Sequence, residues 1–509
     1  MTKSAFYPMG CVGRSRPVRA PANARMRGRA AGALLLALLL GGCATPPPQA
    51  GAPRIEVWTT TADHRLALAP TGADFDADGA ESAAETAATT LIEIDADARH
   101  QRMVGFGASI TDASAWLIRQ RMSPVQREAL LRELFGRNGD GIGFDFARLT
   151  IGASDFSRHH YSLDDPPEGR PDPALRHFSL DANRGDVIPV ARQALEINPQ
   201  LWIMASPWSA PAWMKDNGSL VTGTLSPGHY DAFARYLLRY VEAMAGEGIP
   251  IRALTVQNEP DFEPADYPGM RLNAPQRARF IGDHLGPLLA RQAPQVQLFD
   301  WDHNWDKPEE PLAVLADPAA ARYVDGVAWH CYGGQPAAQS QVRAAHPQVD
   351  VYMTECSGGD WEPVRSGGLN LQAQRLIVET TRHWARGVLF WNLALDENSG
   401  PHAGGCGNCR GVVTIDSTTG EVTRTDDYYA LAHASRFVRR GAWRVASSEA
   451  VGGVANVAFV NADDASRVLV VSNADQQART IRVREGRRRF HHVLPGRSVA
   501  TFRWQPAGE

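Results

Sequence analysis

Two glutamates each stand where a predicted apolar strand ends. Glu259 closes the segment 254–259 and Glu355 closes the segment 351–355. The carboxyl ends of parallel strands meet at one face of a barrel, and barrel enzymes carry their active sites there. Hydrolysis of a glycosidic bond needs two facing carboxyl groups, one to protonate the leaving oxygen and one to act at the anomeric carbon. Either glutamate alone fits a solvated or salt-bridged loop carboxylate, but their joint placement favours a glycosidase site.

Aromatic and polar residues follow other predicted strands. Trp208 and Trp213 lie in the segment 206–215, which we expect at the mouth of the site, and Trp391 ends a further strand. Aromatic faces pack on the C–H face of a sugar ring, while Asp, Asn and His bind its hydroxyl groups. One tryptophan alone could be core, but several aromatic residues at strand ends favour a carbohydrate site.

Short apolar runs alternate with helical patterns between about 102 and 430. The predicted strands are 144–149, 201–205, 253–256, 297–299, 326–329, 351–354 and 388–391, and the predicted helices include 124–135, 228–246 and 274–292. Repeated strand–helix units over this length predict a (β/α)8 TIM barrel, residues 102–430. Short alternating strands at 54–101 and 431–509 are expected to pair into one attached β-sandwich domain, with a surface loop at 73–88.

The N-terminus differs in charge from the rest of the chain. Residues 1–43 hold seven Lys and Arg and no Asp or Glu, and the remaining 45 basic against 56 acidic residues give a net charge near −11. A body this acidic is not typical of nucleic-acid binding. The apolar run 30–40 is too short to span a membrane but fits a signal peptide, with a possible true start at Met26.

The apolar run ends in Leu40-Gly-Gly-Cys43, which resembles the lipobox of bacterial lipoproteins. We therefore predict an exported protein that is lipidated at Cys43 and anchored to a membrane only through that lipid, in the periplasm or at the cell surface. An ordinary cleaved signal peptide with a chance Cys is the alternative. Residues 44–53 form a Pro-rich linker that would hold the body off the membrane.

Four further cysteines fit an oxidising compartment. Cys406 and Cys409 could suggest zinc, but no second such pair accompanies them, so a short-loop disulfide is favoured. Cys331 and Cys356 could be buried thiols or a second bridge. The sequence shows no metal-site or cofactor motif, and we predict neither metal nor cofactor.

Several motifs, in chain order, resemble glycoside hydrolase family 30, the family of lysosomal glucosylceramidase. They are Gly105-Phe-Gly-Ala-Ser-Ile-Thr-Asp-Ala113, Arg148-Leu-Thr-Ile-Gly-Ala-Ser-Asp-Phe-Ser157 and the segments 206–215, 255–260, 391–396 and 428–441. The resemblance implies a TIM barrel with a side β-sandwich and retaining hydrolysis of β-glycosides. It also implies that Glu259 is the acid/base and Glu355 the nucleophile.

The resemblance further implies roles in substrate binding. Asn258 is expected near the nucleophile and the sugar 2-hydroxyl, and Asp155 and Trp208 at the 4- and 6-hydroxyl end. Trp391 is expected under the ring, with His330 and Tyr332 flanking the nucleophile. We expect Arg148 to balance the carboxylates, Tyr332 to help keep Glu355 ionised, and the Glu355 charge to raise the pKa of Glu259.

The chain departs from the family pattern at two places. Cys331 replaces the Trp of the usual His-Trp-Tyr, and the loop 399–411 differs from that of glucosylceramidase. A Cys406–Cys409 bridge would stiffen this loop, and His402, Asn408 or Arg410 could contact the leaving group.

These observations predict a retaining glycosidase that cleaves β-D-glucosidic bonds of a β-glucoside, β-glucan or glycolipid. Within that class an endo-acting β-1,6-glucanase, an exo-acting glucosidase or glucosylceramidase, and a β-xylosidase remain open. A non-catalytic glycan-binding lipoprotein is the alternative from another class. The sequence does not indicate the oligomeric state.

Overall fold

The computed structural model describes residues 55–76, 89–362, 368–449 and 453–506. The predicted signal peptide with Cys43, the linker 44–53 and most of the acidic stretch 73–88 lie outside the described residues. No helix within the described ranges is both long enough and apolar enough to cross a membrane.

The described part of the chain is rich in strands. In chain order they are β1 Ile55–Thr61, β2 Ala69–Ala73, β3 Thr89–Arg102, β4 Gly105–Ser109, β5 Phe146–Ile151, β6 Trp202–Pro207, β7 Ile251–Thr255, β8 Gln297–Asn304, β9 Gly326–His330, β10 Asp350–Glu355, β11 Gly358–Gly359, β12 Ala385–Asn392, β13 Ala394–Leu395, β14 Cys409–Arg410, β15 Val413–Ile415, β16 Val422–Arg424, β17 Trp443–Ser447, β18 Val454–Val460, β19 Arg467–Asn473, β20 Arg479–Glu485, β21 Arg488–Leu494 and β22 Ser498–Trp504.

The α-helices lie mostly between the barrel strands. They are α1 Asp112–Trp116, α2 Pro124–Phe135, α3 Asp181–Arg184, α4 Val187–Ile197, α5 Tyr230–Gly246, α6 Ala274–Arg279, α7 Gly286–Gln292, α8 Glu309–Leu315, α9 Pro318–Ala321, α10 Ala337–Ala345, α11 Gly368–Gln372, α12 Thr380–Arg382 and α13 Asp426–Ser435, with π-helical turns at Leu117–Arg121, Phe280–Leu285 and Ala373–Glu379. Helix α2 has the predicted bounds, since Ser123 and Gln126 form a capping box and Pro124 occupies the first turn.

Eight strands form a closed parallel barrel in the order β10-β12-β4-β5-β6-β7-β8-β9. Strands such as β5 and β6 are buried along their whole length, as parallel strands covered on both faces must be. One buried cluster includes Phe146, Trp202, Phe299 and Tyr352, with the Phe299 and Tyr352 rings stacked 4.3 Å apart. Because side chains alternate along β5, Arg148 points to the same side as Phe146, two residues nearer the carboxyl end of the strand. The predicted TIM barrel is confirmed.

The two chain ends build one nine-stranded sheet in the order β2-β1-β22-β19-β18-β17-β3-β20-β21. Its strands alternate between two cores: in β18, Val457 and Phe459 join the barrel core, whereas Ala458 and Val460 join the core of the sandwich. Phe459 packs edge-on against Phe106 of β4, with ring centroids 6.4 Å apart. The attached β-sandwich from both chain ends is therefore confirmed, and its inner face rests on the barrel.

Several strand predictions needed correction. Strand β4 was not predicted because Gly105-Phe-Gly-Ala-Ser109 lacks a β-branched run. Within 431–509 the alternation predicts strands at 455–460, 467–472, 480–483 and 498–503, but not β21, whose Arg and His residues obscure the pattern. Strand β8 runs five residues beyond the predicted end at Phe299, so that polar residues continue the strand into the barrel mouth.

Candidate active site

Arg148 is the fully buried centre of the site. From β5 its guanidinium donates to Glu355 Oε2 at 2.5 Å, to Asp302 Oδ2 at 2.8 Å and to Asn258 Oδ1 at 2.7 Å. The guanidinium also lies over the ring of Trp208, 4.8 Å from its centroid. A buried arginine this well paired stays charged and fixes the side chains that it touches. Arg148 balances Glu355 as expected, but its second carboxylate partner is Asp302 rather than Glu259.

Asp302 connects Arg148 to the opposite side of the barrel. Its Oδ2 also accepts from Ser206 and Thr255, and its Oδ1 accepts from Thr354 at 2.7 Å and faces His330 Nε2 at 3.0 Å. Burial raises the pKa of Asp302, but the Arg148 charge and the His330 contact outweigh burial and hold that pKa well below its usual range. Asp302 is therefore an anion, which requires Nε2 of His330 to carry a proton.

The sequence analysis missed Asp302 and His303. Both come from the distal half of β8, where Trp301 and Asp302 adopt left-handed φ values of 75° and 53° and the register with β9 shifts. Such a bulge redirects side chains that regular alternation would point elsewhere. The polar run Asp300-Trp-Asp-His-Asn304 after an apolar start was the available signal.

Glu355 ends β10 and is bound on both carboxylate oxygens. Its Oε2 accepts from Arg148, and its Oε1 accepts from the hydroxyl of Tyr332 at 3.0 Å. Burial raises the pKa of Glu355 and the Glu259 charge adds to this, while His330 and Arg148 oppose it; the net pKa lies above the usual value. The carboxylate is thus oriented by two donors, one on β5 and one just after the end of β9.

Glu259 follows β7 and faces two histidines. Its Oε1 lies 2.9 Å from Nδ1 of His330 and 3.2 Å from Nδ1 of His303. Burial raises the pKa of Glu259, but the contacts with His303 and His330 outweigh it and hold the pKa below its usual range. Burial lowers the pKa of His330, yet Glu355, Asp302 and Glu259 raise it to about 9.

One expectation about protons was wrong. We expected the negative charge of Glu355 to raise the pKa of Glu259, whereas the contacts with His303 and His330 hold that pKa below its usual range. The reason is that His303 and His330 approach Glu259 from two other strands, and their contacts with the anion outweigh the effect of burial.

Three residues that the resemblance predicted to bind the sugar lie against Arg148, namely Trp208, Trp391 and Asn258. The rings of Trp208 and Trp391 stack with centroids 4.9 Å apart and an interplanar angle of 19°, and both rings are buried. Burial, followed by the charge of Glu355, raises the pKa of the neighbouring Asp155 to about 8. Asn258 gives its side-chain oxygen to Arg148, so only its NH2 group remains to donate to a hydroxyl.

Two expected aromatic positions differ. Trp208 lies at the base of the site rather than at its mouth, because it stacks on Trp391 beneath the guanidinium of Arg148. Trp213 is buried away from the carboxylates, and its indole N–H donates to Asp164 Oδ2 at 2.9 Å. Trp213 therefore packs in the core.

The loop 399–411 closes over the Asp155 side of the site. Ala403 N–H donates to the carbonyl of Asp155 at 2.9 Å, and Gly405 N–H donates to Asp266 Oδ2 at 3.2 Å, so the loop bridges two others. Gly405 has φ 71°, and a Cβ there would lie 2.6 Å from the Cβ of Asp155, so a larger residue would clash. Cys406 and Cys409 form the predicted disulfide.

Arg410 and Asn408 fasten this loop. The guanidinium of Arg410 donates to Asp427 Oδ2 at 2.7 Å and to the carbonyls of Gly359 and Glu362. The carbonyl of Asn408 accepts from Asp360 N–H at 3.1 Å. Nε and Nη1 of Arg410 thus bind α13 and the segment after β10 rather than a leaving group.

The cluster of Glu259, His303 and His330 also has the residue types of a metal site. Among the described residues, these three bring potential ligand atoms within 4.8 Å of one another. Acid–base hydrolysis of a glycoside uses a pair of carboxyl groups and needs no metal, so we interpret the cluster as a hydrogen-bonded proton site.

Comparison with known proteins identifies this architecture. Residues 103–438 match the glycosyl hydrolase family 30 TIM-barrel domain, and residues 441–502 match the family 30 β-sandwich domain. The chain belongs to glycosyl hydrolase family 30 and is a β-glycosidase.

Individual relatives agree over most of the chain. It is 34% identical over 447 residues to an endo-1,6-β-D-glucanase of Neurospora crassa, and the aligned region covers 84% of this chain and 90% of that protein. It is 31% identical over 454 residues to the lysosomal acid glucosylceramidase of Mus musculus, with 84% and 86% covered. The solved structure of the endo-β1,6-glucanase BT3312 superposes with a TM-score of 0.81 at 30% identity, covering 89% of this chain and 100% of that one.

Arg148→Met should destabilise the fold strongly, because it leaves the buried Asp302 without its guanidinium partner. We expect a loss of about 3–5 kcal/mol in the free energy of unfolding, measured by urea titration. Arg170→Met is the matched control, since Arg170 is exposed and its nitrogen lies 3.7 Å from exposed Glu168; it should change stability by less than about 0.5 kcal/mol. Equal losses in the two variants would contradict the central role of Arg148.

Proposed function

We propose that this β-glycosidase works by a retaining, double-displacement mechanism in which Glu355 is the nucleophile and Glu259 the acid/base. The observation that carries this assignment is the different bonding of the two carboxylates. Glu355 accepts hydrogen bonds from Arg148 and Tyr332, which leave the carboxylate ionised, whereas Glu259 faces His330, which can exchange a proton with it. Glu355 attacks the anomeric carbon and forms a glycosyl ester as the leaving oxygen takes a proton from Glu259. Water then attacks the ester, and Glu259 takes its proton.

The proton for the leaving group comes from the Glu259–His330 pair. Asp302 holds the Nε2 proton of His330, so the proton that moves is the one between Nδ1 and Glu259 Oε1. A bound sugar would displace water around Glu259 and favour its neutral form, drawing this proton from His330 onto the carboxylate. His330 is therefore a proton reservoir that acts through Glu259.

Glu355→Gln should lower kcat by more than about a thousandfold, because an amide cannot form the glycosyl ester. Glu242→Gln on the exposed face of α5 is the matched control and should keep full activity.

Incubation of the native protein with a 2-deoxy-2-fluoro-β-glucosyl fluoride should leave a label on Glu355, read by mass spectrometry of peptides. A label on another carboxylate would overturn the assignment.

We propose a β-1,6-linked glucan as the substrate, cut in endo fashion. Three relatives at 34% identity are named endo-1,6-β-glucanases, as is the structural neighbour at 30%. Half-exposed aromatic rings also follow the strands that carry the two glutamates: Phe262 is 45% and Trp361 50% exposed. Such rings are suited to stack on glucose units beyond the scissile bond.

Linear β-1,6-glucan should yield a ladder of oligosaccharides early in the reaction, resolved by chromatography, with Glu355→Gln as the blank. Trp361→Ala should raise KM for long oligomers several-fold yet leave an aryl β-glucoside unaffected, because only the oligomer reaches that ring. Glucose as the sole early product would indicate an exo-glucosidase. Faster release of ceramide from glucosylceramide, or of xylose from a xyloside, would replace the glucan as substrate.

We also propose that the protein is exported and anchored through a lipid on Cys43. Support comes from the basic and apolar N-terminal sequence before Cys43 and from two disulfides, which persist in oxidising compartments. The catalytic barrel would then act outside the cytoplasm on a polymer that cannot enter the cell.

Cys43→Ala should abolish incorporation of labelled palmitate and move the protein from the membrane fraction to the soluble fraction of a bacterial host. Cys11→Ala is the control, because Cys11 precedes the apolar run, and it should leave both readouts unchanged. Unlabelled native protein in the soluble fraction would favour an ordinary cleaved signal peptide.

A further inference from the structure

A second disulfide lies inside the active site. Cys331 stands between His330 and Tyr332 at the end of β9, and Cys356 directly follows Glu355 at the end of β10. The bond joins the two strands immediately beyond their last paired residues, Glu355 and His330, with a Cα–Cα distance of 5.2 Å. Both cysteines are buried, so the bridge is part of the wall that carries the nucleophile.

The backbone on each side of this disulfide is held in place. The carbonyl of Cys356 accepts from Trp391 N–H at 2.8 Å, which ties it to β12, and the carbonyl of Cys331 accepts from the guanidinium of Arg375. The disulfide and these anchors therefore restrain the backbone beside Tyr332 relative to the backbone beside Glu355.

The ring of Tyr332 has little packing of its own to hold it. It is 46% exposed and meets the His330 ring edge-on, with centroids 6.1 Å apart. Its N–H donates to Asn304 Oδ1 at 3.0 Å, and its hydroxyl donates to Glu355 Oε1 at 3.0 Å. The position of the hydroxyl thus depends on the backbone of residue 332, and the disulfide fixes that backbone one residue away.

We propose that the Cys331–Cys356 disulfide is a positioning element that holds the Tyr332 hydroxyl on Glu355. The inference rests on the proposed role of Glu355 as nucleophile. It also accounts for Cys331, which replaces the tryptophan of the usual His-Trp-Tyr motif. The disulfide bond takes the place of the packing that a large ring would supply.

The Tyr332 bond acts on the charged form of Glu355. Burial and the Glu355 charge raise the pKa of Tyr332 well above its usual value, so the phenol remains a donor wherever the enzyme works. The charged and titratable groups that face Glu355 from the strands and loops around it are Arg148, Asp155, Glu259, Asp302, His330 and Tyr332. Loss of a donor to the carboxylate raises its pKa, so the acid limb of the pH profile of kcat/KM moves to higher pH.

The test compares Cys331→Ala/Cys356→Ala, Tyr332→Phe and the triple variant by kcat/KM against pH. We expect each of the first two to lower kcat/KM about tenfold and to move the acid limb up by roughly 0.5–1 pH unit. If the disulfide acts through Tyr332, the triple variant should resemble Tyr332→Phe alone, because the two changes remove one interaction. Additive losses with an unmoved acid limb in the cysteine variant would show a merely structural bridge and overturn the proposal.

Cys406→Ala/Cys409→Ala is the matched comparison, since it also removes one disulfide but neither cysteine contacts Glu355 or Tyr332. Its acid limb should stay in place, and an equal movement there would count against the proposal. Near-UV circular dichroism at the assay temperature confirms folding. If the cysteine variant does not fold, Asn304→Ala, which frees the N–H of Tyr332, must give the same acid-limb movement, and failure to do so overturns the inference.

Labelling with the 2-deoxy-2-fluoro sugar separates the two proposals. A label elsewhere than Glu355 defeats the proposed function itself. A label on Glu355 in the native protein together with additive, pH-independent losses in the variants defeats only the positioning role of the disulfide.

Discussion

The buried contact between Arg148 and Asp302 is the interaction on which the rest of the site depends. Removing two charges from water is costly, and that cost is offset only when every bonding position is filled. Asp302 meets this condition with Ser206, Thr255, Thr354 and His330, and Arg148 with Glu355 and Asn258. One charge pair therefore fixes the positions of side chains from six barrel strands or the residues just after them, which is how a protein prepares a site before substrate arrives.

The barrel separates stability from chemistry along its axis. An aromatic cluster with Phe146 and Tyr352 fills the interior on one side of the charged network, and the loops after the strands enclose it on the other. The loop 399–411 and its fastening by Arg410 close the Asp155 side, while half-exposed rings are left beside the two glutamates. Half-exposed aromatic rings beside the two glutamates fit the proposed polymer substrate, because they can stack on further glucose units.

Two histidines lower the pKa of Glu259, the proposed acid/base. A pair of facing carboxylates would by itself raise one pKa, but His303 and His330 both face Glu259, and their contacts hold its pKa below the usual range. The consequence is that a histidine, itself held by Asp302, stores the proton in the free site. The arrangement resembles other acid–base sites in which neighbouring groups, rather than the catalytic residue alone, set the proton position.

The sequence by itself predicted the barrel, the two-ended sandwich, helix α2 and both glutamates, because hydrophobic periodicity, caps and strand-end residues are local signals. It also placed Tyr332 and Arg148 near Glu355 through the family resemblance. Only the tertiary structure decided that Asp302 and His303 enter the site, because a bulge in β8 turns them inward, and that Cys331 bonds Cys356. The tertiary structure also pairs Arg410 with Asp427 and raises the pKa of His330. Such pairings and pKa values depend on distances between residues that are far apart in the chain.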